Sequence, residues 1–145
     1  DLGYNLRPTE INGFIGNIQI KYLPEIIKKR NENFFNLAII YENVEKFYPL
    51  RYDHLDFLSN FAFPIICKTQ KIRDKLVEKC AGKIEIRPIV AGDTVMQPFF
   101  SKYMKKFSLP SPNAKLVHEQ GLYFGNNPEL TANEIQKIIE TFTAE

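Results

Sequence analysis

Two helical patterns stand back to back at the start of the chain, and three short strand-like windows follow, each separated from the next by another helical pattern. No Gly-rich phosphate loop joins any of these strands to the helix after it. That succession argues for an α+β fold, a small three-stranded sheet covered by helices. Ile11, Phe14, Ile15, Ile18 and Tyr22 share one helical face, and Pro8 suits a first-turn position where its missing N–H costs little. Gly16 lies inside this helix at a cost of ~1 kcal/mol relative to Ala, which predicts a close approach to another backbone. Pro24 then predicts a break or kink before a longer pattern through Ile26, Ile27, Phe34, Phe35, Leu37 and Ile40.

The stretch from Phe47 to Ser59 is irregular and leads to a strand around Asn60 to Lys68. Pro64 cannot donate to a ladder, so that strand belongs at an edge or carries a bulge. Lys71 to Cys80 reads as a helix with Gly82 placed to end it, and Ile84 to Pro88 as a short strand. Phe99 to Phe107 suggests a short helix, Leu109 to Pro112 a turn, Ala114 to Gln120 another short helix, and Gly121 to Gly125 a strand. Thr131 and Glu134 form a capping box that launches a last helix with Ile135, Ile138, Ile139 and Phe142 facing the core.

At 145 residues, 44% of them hydrophobic, the chain has the length and apolar content of one globular domain. Its formal charge of +2, from 19 basic and 17 acidic residues, gives no field that would argue for nucleic acid or a membrane surface. The run Lys28-Lys29-Arg30 reads as a solvated helix face. Cys67 and Cys80 lack the spacing of a zinc or redox pair and read as two buried thiols. His54 and His118 have no nucleophile beside them, and no acidic pair is spaced for a metal or for glycoside hydrolysis. Without a secretory signal or a membrane-length apolar run, the expected compartment is the cytoplasm.

The chain opens almost at once on Gly3-Tyr4-Asn5-Leu6-Arg7-Pro8-Thr9-Glu10, a loop running into a helix. No initiator Met is present, Asp1 and Leu2 read as mid-chain sequence, and the helical residues 1–45 have no obvious partner. A fragment of a larger protein is expected, with residues 1–45 at the interface to an absent large domain and 46–145 forming a small α/β subdomain. By themselves, Asn5 reads as an Asx turn before the helix and Arg7 as a solvated side chain.

Three segments add a resemblance. Gly3-Tyr4-Asn5 with Pro8-Thr9-Glu10-Ile11, then Glu85 to Asp93 (Glu-Ile-Arg-Pro-Ile-Val-Ala-Gly-Asp) with Gln97-Pro98, then Glu119 to Asn126 resemble, in this order, the C-terminal region of the DegT/StrS sugar aminotransferases. The resemblance implies the small C-terminal domain of the type I aminotransferase fold. It also implies an enzyme that uses pyridoxal phosphate on sugar nucleotides, for polysaccharide or deoxyamino-sugar biosynthesis. Pyridoxal chemistry needs a Schiff-base Lys and an acidic partner for the ring nitrogen. The family carries both upstream, so this chain alone should be inactive and hold no cofactor. As the family's Gly-Tyr-Asn lies at a homodimer interface, Asn5 would reach the cofactor phosphate of the neighbouring subunit. Arg7 would face a sugar-nucleotide phosphate, since its forked donors suit phosphate, and Arg87 would face the substrate. Asp93 stands where Asn is common in that family, which is a departure. The Arg-Pro-Ile-Val-Ala-Gly segment is also similar to the family's sugar 3-dehydrases, which keep the cofactor without the Lys. A free-standing binding or regulatory domain is the alternative from a different class.

Overall fold

The computed structural model describes residues 8–89, 93–103 and 111–144. Helix α1 (Glu10–Gln19) starts two residues later than Pro8 implied: Thr9 is its N-cap, and both the Thr9 N–H and its hydroxyl donate to Asn12 Oδ1, at 2.9 and 2.7 Å. A 3-10 turn over Ile20–Tyr22 links it to α2 (Leu23–Leu37), with Pro24 in the first turn of α2 where no N–H is needed. A second 3-10 stretch, Ala38–Glu42, extends α2 into the core with Ile40 and Tyr41 buried.

Strands β1 (Ala62–Ile66), β2 (Ile86–Pro88) and β3 (Gly121–Gly125) form one antiparallel sheet in the order β1-β3-β2, as the α+β reading expects. β1 is an edge strand, so Pro64 costs no ladder bond within the sheet, and its carbonyl accepts from the Tyr41 hydroxyl at 2.7 Å. Beyond β1, Phe47 forms an isolated bridge to Cys67, with Tyr48 N–H donating to the Ile66 carbonyl. The two rows of opposed side chains separate cleanly. Phe63 opposite Phe124 and Ile65 opposite Leu122 face the core, while Pro64, Tyr123 and Arg87 form one row on the other face.

Helices α3 (Gln70–Cys80) and α6 (Ala132–Thr143) cover the core face. Two predicted devices stand in place, Gly82 following α3 at φ +69° and Thr131 with Glu134 closing the capping box of α6, and Thr69, not foreseen, caps α3 through the Ile72 N–H. Ile135, Ile138 and Phe142 are buried and Ile139 packs at the margin. An aromatic file crosses the core from Tyr41 to Phe63 (4.9 Å between ring centroids), to Phe124 (5.2 Å) and to Phe142 (5.1 Å), with Phe34 against Phe63 at 5.3 Å. Phe34, Leu37, Ile40 and Tyr41 therefore share one core with residues beyond 46.

A polar tie accompanies this packing. Asn126 is fully buried; its Nδ2 donates to the Arg30 carbonyl (2.9 Å) and the Asn60 carbonyl (3.1 Å), and its backbone N–H donates to the Phe61 carbonyl. Asn33 on α2 donates to the Asn127 carbonyl at 2.9 Å. Short helices α4 (Pro98–Tyr103) and α5 (Pro112–Gln120) complete the described elements, α5 leading straight into β3. The tail of the Phe99–Phe107 pattern and the Leu109-Pro110 part of the expected turn lie outside the described residues. No described helix is long and apolar enough to cross a membrane.

The expectation for Gly16 fails among the described residues. A Cβ built there meets nothing within 4 Å, because α1 has no buried residue and leaves Ile11 (69% exposed), Phe14 (68%) and Ile15 (51%) open. The close approach occurs at Gly121 instead, where a Cβ would overlap the Val117 carbonyl oxygen and come within 2.8 Å of Ile89 Cδ1.

Four outcomes are expected. Gly121→Ala loses roughly 1–3 kcal/mol of stability in denaturant titrations, because a backbone carbonyl must move. Burial pushes the Cys67 thiol from 9.0 up to about 11, against a smaller pull from Arg73, and raises Cys80 as well. Both thiols should therefore resist alkylation at about pH 8 until the protein unfolds. Since the unfolded thiol ionises first, the stability they hold below about pH 9 is lost as pH rises towards about 11, readable as falling denaturant midpoints. The open α1 face should make the chain self-associate in sedimentation, and Phe14→Asp should abolish this; a strict monomer at all concentrations would count against it.

Candidate functional site

Where β3 ends and β2 begins, the first turns of α6 roof a cavity of about 510 Å3. Its floor is apolar, from Ile84, Phe124, Leu130 and Ile138, and its rim carries Phe61, Lys83, Glu85, Arg87, Tyr123, Glu134 and Lys137. The register explains the assembly. Arg87 stands directly opposite Tyr123, and Phe61, just ahead of β1, meets the Tyr123 ring edge-on at 6.3 Å. Phe61 is 71% exposed.

Arg87 is held by Glu85. Its Nη2 donates at 2.6 Å and its Nε at 2.9 Å, both to Oε1 of the carboxylate. That hydrogen bonding, then the Glu85 charge and, less strongly, Tyr123, raise the guanidinium above its ordinary value, so Arg87 is a permanent cation. The pair is exposed on both sides, 64% and 76%, and such pairs contribute little to stability. An incoming ligand can compete for either member. Glu134 is engaged differently: the Thr131 backbone N–H and hydroxyl donate to it, each at 2.8 Å, and hold its carboxyl below the usual range while fixing the start of α6. Lys83 and Lys137 form no ion pair within 4.0 Å among the described residues.

Of the residues singled out from the sequence, Arg87 lies in this wall, while Asn5 and Arg7 lie outside the described residues. Asp93 is buried, and its Oδ1 has no partner among the described residues. His54 and His118 are exposed, and no cluster of metal-ligating side chains occurs among the described residues. Glu85, Tyr123, Phe61 and Lys137 were not foreseen. Glu85 had a signal, since residues two apart in a strand share a face. Phe61, Tyr123 and Lys137 are brought in only by the sheet register and by α6.

A pyridoxal ring needs a Lys in a sheltered pocket with a carboxylate at the ring nitrogen. No Lys among the described residues is buried, so the described residues do not fit that group.

Residues 1–143 match the model of the DegT/DnrJ/EryC1/StrS aminotransferase family. GDP-4-keto-6-deoxy-D-mannose 3-dehydratase of Escherichia coli O55:H7 is 32% identical over 151 residues, covering 95% of this chain and 36% of that protein. The enzyme of the same name from Yersinia pseudotuberculosis is 30% identical, covering 94% of this chain and 35% of its own length. The E. coli dehydratase solved with bound hydrated PLP superposes with a TM-score of 0.82 at 29% identity, covering 98% of this chain and 37% of that one. The Helicobacter pylori aminotransferase PseC, at 19% identity and TM-score 0.78, covers 98% and 38% and shares the fold. The chain spans about a third of the length of the relatives it matches. With its family model matched almost end to end, the chain belongs to the DegT/DnrJ/EryC1/StrS aminotransferase family.

Proposed function

We propose that the chain is the C-terminal part of a cytoplasmic, pyridoxal-phosphate-dependent enzyme that removes water at C3 of a 4-keto sugar carried on a nucleotide. The observation that carries this reading is the 32% identity to a sugar 3-dehydratase across 95% of the chain. Sugar aminotransferases such as PseC stand at 16–21% identity and support the fold alone. In this reading the cofactor sits in a preceding large domain, and the open apolar face of α1 and the first half of α2 packs against that domain and a second subunit. A free-standing domain would leave Ile11, Phe14 and Ile15 in water.

The chain's own residues bind and orient. Asn5 donates to the cofactor phosphate of the neighbouring subunit. Arg7 pairs with a substrate phosphate through its forked donors. Arg87, permanently charged and held at the cavity wall by Glu85, offers a second cationic contact to the substrate. None of these groups takes or gives a proton in the reaction; their contribution is to hold the substrate in register with chemistry carried elsewhere.

Three measurements on the longer protein test this. Mass analysis of the product from a 4-keto-6-deoxy sugar nucleotide should show loss of water; gain of nitrogen would move the enzyme to the aminotransferase branch. Asn5→Ala should weaken cofactor retention about ten- to a hundredfold, as expected for one hydrogen bond to a charged group. Arg87→Ala should raise KM for the sugar nucleotide with cofactor content intact. Normal cofactor and normal kinetics in both variants would make these residues structural.

A further inference from the structure

We propose that a second cavity, between α3 and α6, binds an amphipathic carboxylate, an apolar body with one anionic head of the fatty-acid type. This cavity is also of about 510 Å3, in the range that encloses a small-molecule ligand, and it shares no lining residue with the cavity beside β2. Its inner surface is apolar: Phe47, Leu76 and Phe142 are buried, and Ile72 packs against the core. Its rim is cationic, from Lys46, Lys75 and Lys79, and Glu78 is the one acid lining it among the described residues. The spacing along α3 builds this face. Ile72, Lys75, Leu76 and Lys79 stand at i, i+3, i+4 and i+7, so two apolar and two basic side chains share one side of the helix.

Two of the lysines converge. Lys46 Nζ, just ahead of the Phe47 bridge, and Lys79 Nζ, from the last turn of α3, donate to the same oxygen, the carbonyl of the α6 C-cap Ala144, at 2.8 and 3.0 Å. Capping accounts for that contact, since the last carbonyls of a helix have no partner within it. It does not account for the third lysine or for the apolar cavity beside it. Two ammonium groups on one neutral oxygen repel each other, and a carboxylate placed among them and Lys75 offsets that repulsion. Lys46 has one of its three donors engaged, and neither Lys46 nor Lys75 forms an ion pair within 4.0 Å among the described residues. The lining also selects the body of the ligand. Its rings, Phe47 and Phe142, are buried and offer no open face for stacking, and Thr141 already donates its hydroxyl to the Lys137 carbonyl at 2.8 Å. A sugar or a base would bring polar groups that find few partners there, whereas an alkyl chain gains by leaving water.

The test titrates the longer protein with decanoate, decanol and acetate by calorimetry, below the micelle concentration of decanoate, and maps the binding by hydrogen exchange. Decanoate should bind about two- to tenfold more tightly than decanol, and acetate should give no measurable heat. Protection by decanoate should fall on residues 46–47, 72–79 and 141–144. Lys75 is exposed and stands outside the Ala144 contact, so Lys75→Gln should leave Tm and decanol affinity unchanged while weakening decanoate about two- to tenfold. Ile72→Gln should weaken decanoate and decanol alike, because it removes apolar lining and no charge. Equal affinity for decanoate and decanol, a decanoate affinity that survives Lys75→Gln, protection confined to other segments, or no binding would each overturn the assignment.

Discussion

The fold depends on one cross-strand pair. Phe63 on β1 and Phe124 on β3 oppose each other and stack at 5.2 Å, and every layer of the core attaches to one of them: Phe34 and Tyr41 to Phe63, Phe142 to Phe124. A three-stranded sheet with a three-residue edge strand buries little by itself. It is stable only with helices on its apolar face, and the aromatic file sets where α2 and α6 must lie. Since α6 supplies the roof of the cavity and β2 its wall, the site's shape is a consequence of this packing.

Apolar contact has no direction, and the placement of α2 along the sheet is set by polar groups. The Asn126 amide bonds two carbonyls belonging to segments distant in sequence, one on α2 and one just before β1. A buried amide deprived of these partners loses far more than a solvated one, which is how such a group selects one arrangement among several with similar apolar burial. Its neighbour Asn33 repeats the device from the helix side.

Local chemistry was legible in the sequence and long-range chemistry was not. The Thr131–Glu134 box, the Gly82 stop, the edge role of Pro64 and the strand at Gly121–Gly125 all follow from residues close together, and all stand where expected. The placement of β3 between β1 and β2 depends on cross-strand pairing that no single window contains. Asn126 looked like the tail of a strand because its partners lie 66 and 96 residues away. Gly16 misled because a helical glycine and an exposed helix share the same pattern; the packing constraint fell on Gly121, whose φ of −84° shows no conformational need for glycine. Arg87 was recognised by its segment, but the acid and aromatic rings beside it came from pleat and register.

The two prolines in the sheet act together. Pro64 lies in β1 and Pro88 in β2, so each outer strand of the β1-β3-β2 sheet lacks a donor at one position. An additional strand, from this chain or another, would find an interrupted ladder on both sides. Growth by strand addition, the usual route from a small sheet to aggregates, is thereby discouraged even while apolar residues stand open elsewhere on the surface. Assembly is directed instead to side-chain packing on helices, where shape complementarity discriminates between partners in a way that a bare row of backbone amides does not.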